Sequence, residues 1–392
     1  MREPRDRRLR ERIRGELETL RKQAQLRELE TLGGLSLCSN DYLGLARDPL
    51  LKQAALEAVG CAERVGSTGS RLLSGNAPEW EAVESQFAQF AGTESALYFG
   101  SGYAANIGLL SSLLRPDDVV FSDARNHASI IDGIRLSRAT KVIYPHGDMD
   151  FLERALREHS GSASAKIVVT ESVFSMEGDI APLDALAVLA REHGAELIVD
   201  EAHATGVLGP QGRGLAAELG VARDVLAVVH TCGKALASAG AFVCCDEPQK
   251  QFLVNRARTF IFSTAMPPYL ARQIRAALQL AIEAGAQREH LKAMANLLRR
   301  ELARADINFG SSASQIVPVC CGTNESALQL AGALRDSGFV ARAIRPPTVP
   351  EGTSRVRLSL TATITEDNIL GLARAIKLAF ESLPPRPAPI HA

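Results

Sequence analysis

The sequence predicts an α/β fold in which a mostly parallel sheet is covered by helices on both faces. From about residue 38 onward, short apolar runs of strand length alternate with segments of helical periodicity, which is the pattern of a parallel sheet. Polar residues follow the ends of several runs, at the edge where such sheets bind ligands. The chain has 392 residues, 46% apolar and 23% charged, and this length suggests about two to three globular domains.

The predicted strands and helices of the sheet alternate along the chain. We predict strands at 118–123, 141–145, 166–172, 196–202, 225–231 and 240–245. The helices predicted in this region lie at 78–91, 103–114 and 182–193.

Helical and mixed segments flank this region. A charged helix is predicted over 1–30, where Ile13, Leu17 and Leu20 form a narrow apolar stripe suited to docking by one face. A long helical stretch over about 265–304 precedes a small α+β region at 310–380, with strands at 315–320 and 354–360. The predicted domains are a helical arm at 1–38, a large domain at 39–288 and a small α+β domain at 289–392.

The composition argues against several classes of function. The chain has 44 basic and 45 acidic residues, a net charge of −1, whereas nucleic-acid binders usually carry a basic excess. Aromatic residues make up only 5%, which disfavours a stacking surface for single strands. No run approaches the ~18 consecutive apolar residues of a membrane span. The N-terminal segment mixes acids with its arginines, unlike a signal or transit peptide.

The cysteines predict free thiols in a reducing cytoplasm. Their number is odd, two pairs are directly adjacent and no C-x-x-C occurs, which disfavours disulfide frameworks and zinc sites. We therefore predict a cytoplasmic protein with no metal. The seven are Cys38, Cys61, Cys232, Cys244, Cys245, Cys320 and Cys321.

Asp200 follows the apolar run 197–199, so its carboxyl group is predicted at the end of a buried strand. Alone, such an aspartate is more often a helix cap or an ion-pair partner. The letters Asp-Glu-Ala-His at 200–203 also match a helicase motif, which requires a loop of the form G-x-x-x-x-G-K-[ST]. We reject that interpretation, because Val228 and Ala235 occupy the first glycine and the Ser/Thr positions around Lys234.

Lys234 follows another apolar run, 225–229, and lies among small residues. Lysine is rarely buried, and desolvation favours its neutral amine. A neutral amine attacks carbonyl groups to form a Schiff base. The alternative is a lysine whose charged end reaches solvent or an acidic partner.

Asp200 and Lys234 together indicate pyridoxal 5′-phosphate. That cofactor requires a lysine for its aldehyde and an acidic group against its pyridinium nitrogen. Gly102 and Tyr103 open a helix after a short strand, where free N–H groups can bind the phosphate. His127 could lie on the ring or cap a helix, and Ser175 could bond a ring substituent or hold a turn.

Seven motifs extend this pattern over nearly the whole chain, from about Leu35 to Leu378, and jointly they resemble the α-oxoamine synthases. These are pyridoxal phosphate enzymes of the aspartate-aminotransferase fold (fold type I), so the resemblance implies a seven-stranded sheet. The motifs are SNDYLGLA (39–46), GSTGSRLLSGN (66–76), FGSGYAAN (99–106), NHASIIDG (126–133), TESVFSMEGD (170–179), VDEAHATGVLGPQGRG (199–214) and FSTAMPP (262–268).

By matched position, the resemblance implies Lys234 as the Schiff-base lysine, Asp200 as the partner of the pyridinium nitrogen and His127 as the group stacked on the ring. The other cofactor contacts it implies are His203 and Ser175 at the phenolic oxygen, and Gly102, Tyr103 and Thr231 at the phosphate. Ser263 or Thr264 would reach the phosphate of a neighbouring subunit, which implies a homodimer. The implied substrate contacts are Arg27, Asn40, Thr348 and Arg357.

The segment AIRPPTVPEGTSRVRLSLTA (343–362) is similar to that of the family member acting in biotin synthesis. The implied reaction condenses L-alanine with pimeloyl-CoA, or with a pimeloyl carrier-protein thioester, and releases CO₂ and the thiol. Sister activities that use glycine or serine with other acyl groups remain alternatives, as does a partner or regulatory subunit without catalysis.

The chain departs from the family pattern at three places. Thr68 stands where glycine is common, Cys232 stands two residues before Lys234, and the stretch ALASAGAF at 235–242 is poorer in glycine than usual. We expect these changes to affect the flexibility of the lysine loop but not the chemistry.

Overall fold

The computed structural model describes residues 8–31, 33–161 and 164–382. These residues form two compact units. The first unit comprises 40–292 and 361–363, and the second comprises the described parts of 1–39, 293–360 and 364–392.

The helices and strands are numbered here in chain order. The helices are α1 (Arg8–Lys22), α2 (Pro49–Gly60), α3 (Pro78–Ala91), α4 (Gly102–Leu113), α5 (Ala128–Ser137), α6 (Met149–Glu158), α7 (Leu183–Glu192), α8 (Leu215–Glu218), α9 (Glu247–Arg256), α10 (Arg258–Ile261), α11 (Pro268–Glu283), α12 (Gly285–Arg304), α13 (Asn324–Asp336) and α14 (Glu366–Glu381). The strands are β1 (Leu35–Ser36), β2 (Ser95–Phe99), β3 (Val119–Asp123), β4 (Thr140–Tyr144), β5 (Lys166–Glu171), β6 (Glu196–Asp200), β7 (Ala227–Thr231), β8 (Ala241–Cys245), β9 (Ile316–Gly322), β10 (Phe339–Val340), β11 (Arg342–Ile344) and β12 (Ser354–Ser359).

A seven-stranded sheet forms the centre of the first unit, which confirms the predicted fold class. Its strand order is β2-β8-β7-β6-β5-β3-β4. The neighbours from β7 to β4 pair in parallel, whereas β8 runs antiparallel to both β7 and β2. The strands predicted for this sheet are all present, and each end lies within two residues of its expected position.

Successive strand residues point to opposite faces of the sheet, and each face supports its own core. On one face, Val120, Ile167 and Ile198 pack with buried residues of α4 and α5. On the other, Phe121 and Val168 pack with buried residues of α6 and α7. The helices therefore cover both faces, and the strand ends are left as the place for a ligand.

The second unit contains a three-stranded antiparallel sheet in the order β11-β12-β9, together with α13 and α14. The two strands expected in this region, at 315–320 and 354–360, correspond to β9 and β12. The short parallel pair β1 and β10 was not predicted, because two-residue strands carry no periodicity.

Two predicted helices differ in the structure. The N-terminal helix is α1, which ends at Lys22 rather than near residue 30, and residues 1–7 lie outside the described part of the chain. Its predicted docking face is exposed, since Ile13 and Leu17 are 49% and 40% exposed. The stretch 265–304 is two helices separated at Ala284, with Gly285 opening the second.

Candidate active site

A cavity of about 260 Å³ lies at the carboxyl ends of β5, β6 and β7 in the first unit. It brings together eight of the residues predicted for the site. These are Asn40, Gly102, Tyr103, His127, Asp200, His203, Thr231 and Lys234. The cavity is also lined by Ser101, Asn106, Ser129, Glu171, Ala202, Gly233 and Gly240.

Asp200 is the last residue of β6, and its carboxyl group is buried. Its Oδ1 accepts a hydrogen bond from the Ala202 backbone N–H at 2.8 Å. Its Oδ2 accepts one from Asn106 Nδ2 at 2.7 Å. Two donors thus fix the orientation of a carboxyl group at the edge of the cavity, which a residue serving only as a helix cap would not require.

His127 caps the N-terminus of α5 and also lines the cavity, so the helix cap is observed and the contact with the cofactor ring stays a prediction. Its Nδ1 accepts a hydrogen bond from the Ser129 backbone N–H at 3.2 Å and lies 2.7 Å from the Ser129 hydroxyl. His127 is an exposed residue that lines the cavity. Desolvation lowers the pKa of His127, Asp200 opposes that shift and the positive charge of Lys234 adds to it. A neutral imidazole is therefore favoured at neutral pH.

His203 follows β6 and is oriented by a residue that the sequence did not identify. The hydroxyl of Tyr42 lies 2.6 Å from His203 Nδ1 and 3.1 Å from Asn40 Oδ1. Tyr42 is completely buried. Both Asn40 and His203 line the cavity, so Tyr42 supports them from behind although it belongs to the motif at 39–46.

Lys234 lies on the loop after β7 and is half-buried.

Two of the departures from the family pattern have left-handed backbone. The backbone of Ala237, in the loop that carries Lys234, has φ of +43°, in the left-handed region that favours glycine. Thr68 has φ of +55°, which is rare for a β-branched residue. Two of the departures from the family pattern therefore place side chains where glycine is easier to accommodate.

The phosphate end of the predicted site is the start of α4. Ser101 caps this helix by accepting from the Ala104 N–H at 3.0 Å. Helix geometry leaves the first N–H groups, including those of Gly102 and Tyr103, without intrahelical acceptors. A Cβ on Gly102 would lie 2.8 Å from Thr231 Cγ2, so only glycine keeps this corner open.

Glu171 is a buried residue of the cavity wall that sequence reasoning missed. It ends β5 and pairs in register with Asp200. Its Oε1 has no hydrogen-bond partner among the described residues. Complete burial, reinforced by the charge of Asp200, raises the pKa of Glu171 well above its ordinary value, against the opposing effect of Lys234. The raised pKa favours the protonated form of Glu171, which lines the cavity and has one oxygen without a hydrogen-bond partner among the described residues.

Ser175 and Thr264 are not among the residues that line this cavity. Ser175 is buried in the turn after β5, and Thr264 is exposed before α11. The turn that carries Ser175 is held by His146, which the sequence did not indicate as a functional residue. His146 lies 2.9 Å from Asp123 Oδ1 through Nδ1 and 2.6 Å from Asp179 Oδ2 through Nε2.

The predicted substrate residues Arg27, Thr348 and Arg357 lie in the second unit. Arg27 donates from Nη2 to Thr348 Oγ1 at 3.3 Å, so two of these residues meet although they are 321 positions apart. Arg345, three residues before Thr348, donates to the backbone oxygen of Leu26 at 3.3 Å. Arg357 is buried on β12 and donates to Ser359 Oγ at 2.6 Å.

The cavity fits pyridoxal phosphate. Lys234 supplies an amine, Asp200 a carboxyl group whose position is fixed, and α4 a set of N–H groups beside a corner that a Cβ at Gly102 would fill. The unsatisfied oxygen of Glu171 is a further sign that the cavity accommodates a polar ligand.

The helices of the described residues include none with the length and apolar character of a membrane span.

Comparisons with known proteins agree with this geometry. The family model "Aminotransferase class I and II" matches residues 33–376. The chain is 48% identical to 8-amino-7-oxononanoate synthase of Geobacter sulfurreducens, over 91% of this chain and 95% of the relative. It is 45% identical to the enzyme of the same name from Anaeromyxobacter dehalogenans strain 2CP-1, over 95% and 96%.

Solved structures show the same fold. Serine palmitoyltransferase from S. paucimobilis, with PLP and myriocin bound, superposes with a TM-score of 0.88 at 29% identity, over 96% of this chain and 99% of that one. 8-amino-7-oxononanoate synthase from Francisella tularensis superposes with a TM-score of 0.78 at 29% identity, over 89% and 98%. The resemblance to the α-oxoamine synthases is confirmed.

Proposed function

The chain belongs to the class I and II aminotransferase family, and from this premise we propose that it is an 8-amino-7-oxononanoate synthase. It is a pyridoxal phosphate-dependent acyltransferase of biotin biosynthesis. Lys234, Asp200 and His127, which are separated in sequence, line one cavity, and this observation carries the proposal. Identity of 44–48% to relatives of that name favours this activity over the sister activities.

The reaction joins L-alanine to a pimeloyl thioester. The alanine Cα–H bond breaks, and a bond forms between this carbon and the thioester carbonyl carbon. The C–S bond breaks, and the sulfur leaves as the thiol with a proton. The Cα–carboxylate bond then breaks to release CO₂, and a proton returns to the product. When bound, pyridoxal phosphate supplies an electron-accepting ring that withdraws electrons from the amino acid Cα.

Each residue of the cavity has a proposed role in this reaction. Lys234 supplies the amine that holds the cofactor and moves a proton at the substrate Cα. Asp200 keeps the ring nitrogen protonated, and its two fixed hydrogen bonds hold it ready for that role. His127 would lie against the ring as a neutral imidazole, and His203 with Ser175 would bond the phenolic oxygen.

The phosphate and the substrates complete the proposal. The N–H groups of Gly102 and Tyr103, with Thr231, bind the phosphate. Arg357 binds the amino acid carboxylate by a charge-assisted hydrogen bond, and Asn40 lines the amino acid site. Arg27 and Thr348, which contact one another, bind the acyl substrate.

A homodimer with shared active sites is part of the proposal. Thr264 is exposed on the single chain. A residue that reaches the phosphate of a neighbouring subunit must be exposed in this way. Leu9 and Ile13 on α1 are 57% and 49% exposed, an apolar face that association could cover. The cysteines form no disulfide among the described residues, which supports a cytoplasmic location.

A product assay tests the function. Purified protein with pyridoxal phosphate is given L-alanine, glycine or L-serine, each with pimeloyl, acetyl, succinyl or palmitoyl thioesters. We expect product from L-alanine with the pimeloyl thioester at a specificity constant far above that of any other pair. A higher value with glycine and an acetyl or succinyl thioester would assign a sister activity. Parallel assays with the pimeloyl group on coenzyme A and on a carrier protein identify the acyl donor.

A further inference from the structure

Asn106 connects Asp200 to Ser129 and, through it, to His127; Asp200 and His127 are the two residues proposed to contact the cofactor ring. Its Nδ2 donates to Asp200 Oδ2 at 2.7 Å and to Ser129 Oγ at 2.9 Å. Asn106, Ser129 and Asp200 are all at least 94% buried. The amide must turn its nitrogen to Asp200, because a carboxylate only accepts hydrogen bonds. The same nitrogen therefore serves Ser129.

The direction of each hydrogen bond follows from this constraint. The Ser129 oxygen accepts from Asn106, so its single proton is available to His127 Nδ1, 2.7 Å away. The Ser129 backbone N–H also donates to the same nitrogen at 3.2 Å. Two donors aimed at Nδ1 exclude a proton on that atom, and a neutral ring then carries its proton on Nε2.

We propose that Asn106 is a positioning residue that orients Asp200 and, through the Ser129 hydroxyl, holds His127 as the Nε2–H tautomer. One amide thereby sets both the carboxylate at the ring nitrogen and the imidazole against the ring. This inference rests on the proposed function, because the two groups matter only if the cavity holds the cofactor. The motifs at 99–106 and 126–133 are thereby physically linked.

The tautomer is measured directly by ¹⁵N NMR of the histidine-labelled holoenzyme, with His127 assigned by the His127→Asn variant. We expect wild-type His127 to have an unprotonated Nδ1 and a protonated Nε2. In Ser129→Ala, the Nδ1–H fraction should rise, because one of the two donors is lost. Ser137→Ala is the matched control, since Ser137 is a buried serine of the same helix that donates to Ile134 O instead. A proton on Nδ1 in the wild-type protein would overturn the proposal.

Cofactor affinity distinguishes the effect of Asn106 on Asp200 from its effect on His127 through Ser129. Asn106→Ala should raise the dissociation constant of pyridoxal phosphate about tenfold, because a hydrogen bond to a charged group is lost. Ser129→Ala should raise it less, since the bond from Asn106 to Asp200 remains. Wild-type affinity and tautomer in both variants would refute a positioning role. If Asn106→Ala fails to fold, the Ser129→Ala comparison still decides the tautomer.

These results are independent of which substrate the enzyme uses. The tautomer and the dissociation constant are read without amino acid or thioester. A wild-type protein that binds the cofactor and shows the Nε2–H form but makes no product from L-alanine and pimeloyl thioester would contradict the proposed function alone.

Discussion

The His146 cluster predicts a loss of stability at alkaline pH. His146 bridges Asp123 at the end of β3 and Asp179 in the turn that carries Ser175. Burial lowers the pKa of His146, but the hydrogen bonds and charges of the two carboxylates outweigh that effect and raise it from 6.5 to about 9. The folded protein therefore stabilises the protonated form of His146 relative to the unfolded protein.

The size of the effect follows from that shift. A shift from 6.5 to about 9, at ~1.36 kcal/mol per pKa unit, corresponds to roughly 3 kcal/mol. Because the folded pKa is raised, this stabilisation is fully present below the unfolded pKa near 6.5. It is lost as the pH rises through about 9.

Denaturant unfolding of wild type and His146→Gln between about pH 6 and about pH 10 tests the argument. We expect the advantage of the wild type in free energy of unfolding to be largest at the acidic end and to shrink by roughly 3 kcal/mol at the alkaline end. An advantage that stays constant or grows with pH would refute the assignment of a charged His146. His159→Gln serves as a control, because His159 Nδ1 donates to the backbone oxygen of Ala155 at 2.8 Å, a contact that involves no carboxylate.

Three further predictions concern the site and the backbone. Gly102→Ala should raise the dissociation constant of pyridoxal phosphate by about tenfold or more, because the added Cβ would lie 2.8 Å from Thr231 Cγ2. Gly100→Ala is the control and should bind the cofactor with wild-type affinity, because a Cβ there meets nothing within 4 Å. Thr68→Gly should be more stable to denaturant than Thr68→Ala by about 1 kcal/mol, because φ is +55°; equal stabilities would contradict that conformation. Asp200→Asn should lower the rate of product formation by roughly a hundredfold or more in the substrate assay, and a near wild-type rate would remove Asp200 from catalysis.

The sequence predicted the large sheet well because its strands are apolar runs with clear ends. The strands β3, β5 and β6 were predicted almost to the residue. The reversed direction of β8 was not predicted, since an apolar run buried on both faces has the same composition in either direction. The break at Ala284 was missed because the helical periodicity continues across it.

The residues of the site were predicted where they follow strands or match motifs, and were missed where their role depends on a distant partner. Lys234 and Asp200 are of the first kind. Asn106 bonds to a residue 94 positions away, and Tyr42 to one 161 positions away. No local pattern indicates such pairs, because they form only when the sheet brings the strand ends together.

Ser175 lies in the turn after β5, and its contact with the cofactor stays a prediction. The sequence placed it beyond a strand, which is correct, but it does not line the cavity in the described chain. Glu171, four residues earlier, does line it. A strand end specifies which residues are near a site, whereas the turn that follows decides which of them face it.

The covalent attachment of the cofactor to Lys234 tests the central claim most directly. The purified holoenzyme is treated with borohydride, which reduces a lysine–cofactor bond to a stable one, and its peptides are mapped by mass spectrometry. We predict that the cofactor is found on the peptide containing Lys234 and is absent from that peptide in the Lys234→Arg variant. Attachment to a different lysine, or no attachment in the wild-type protein, would contradict the account.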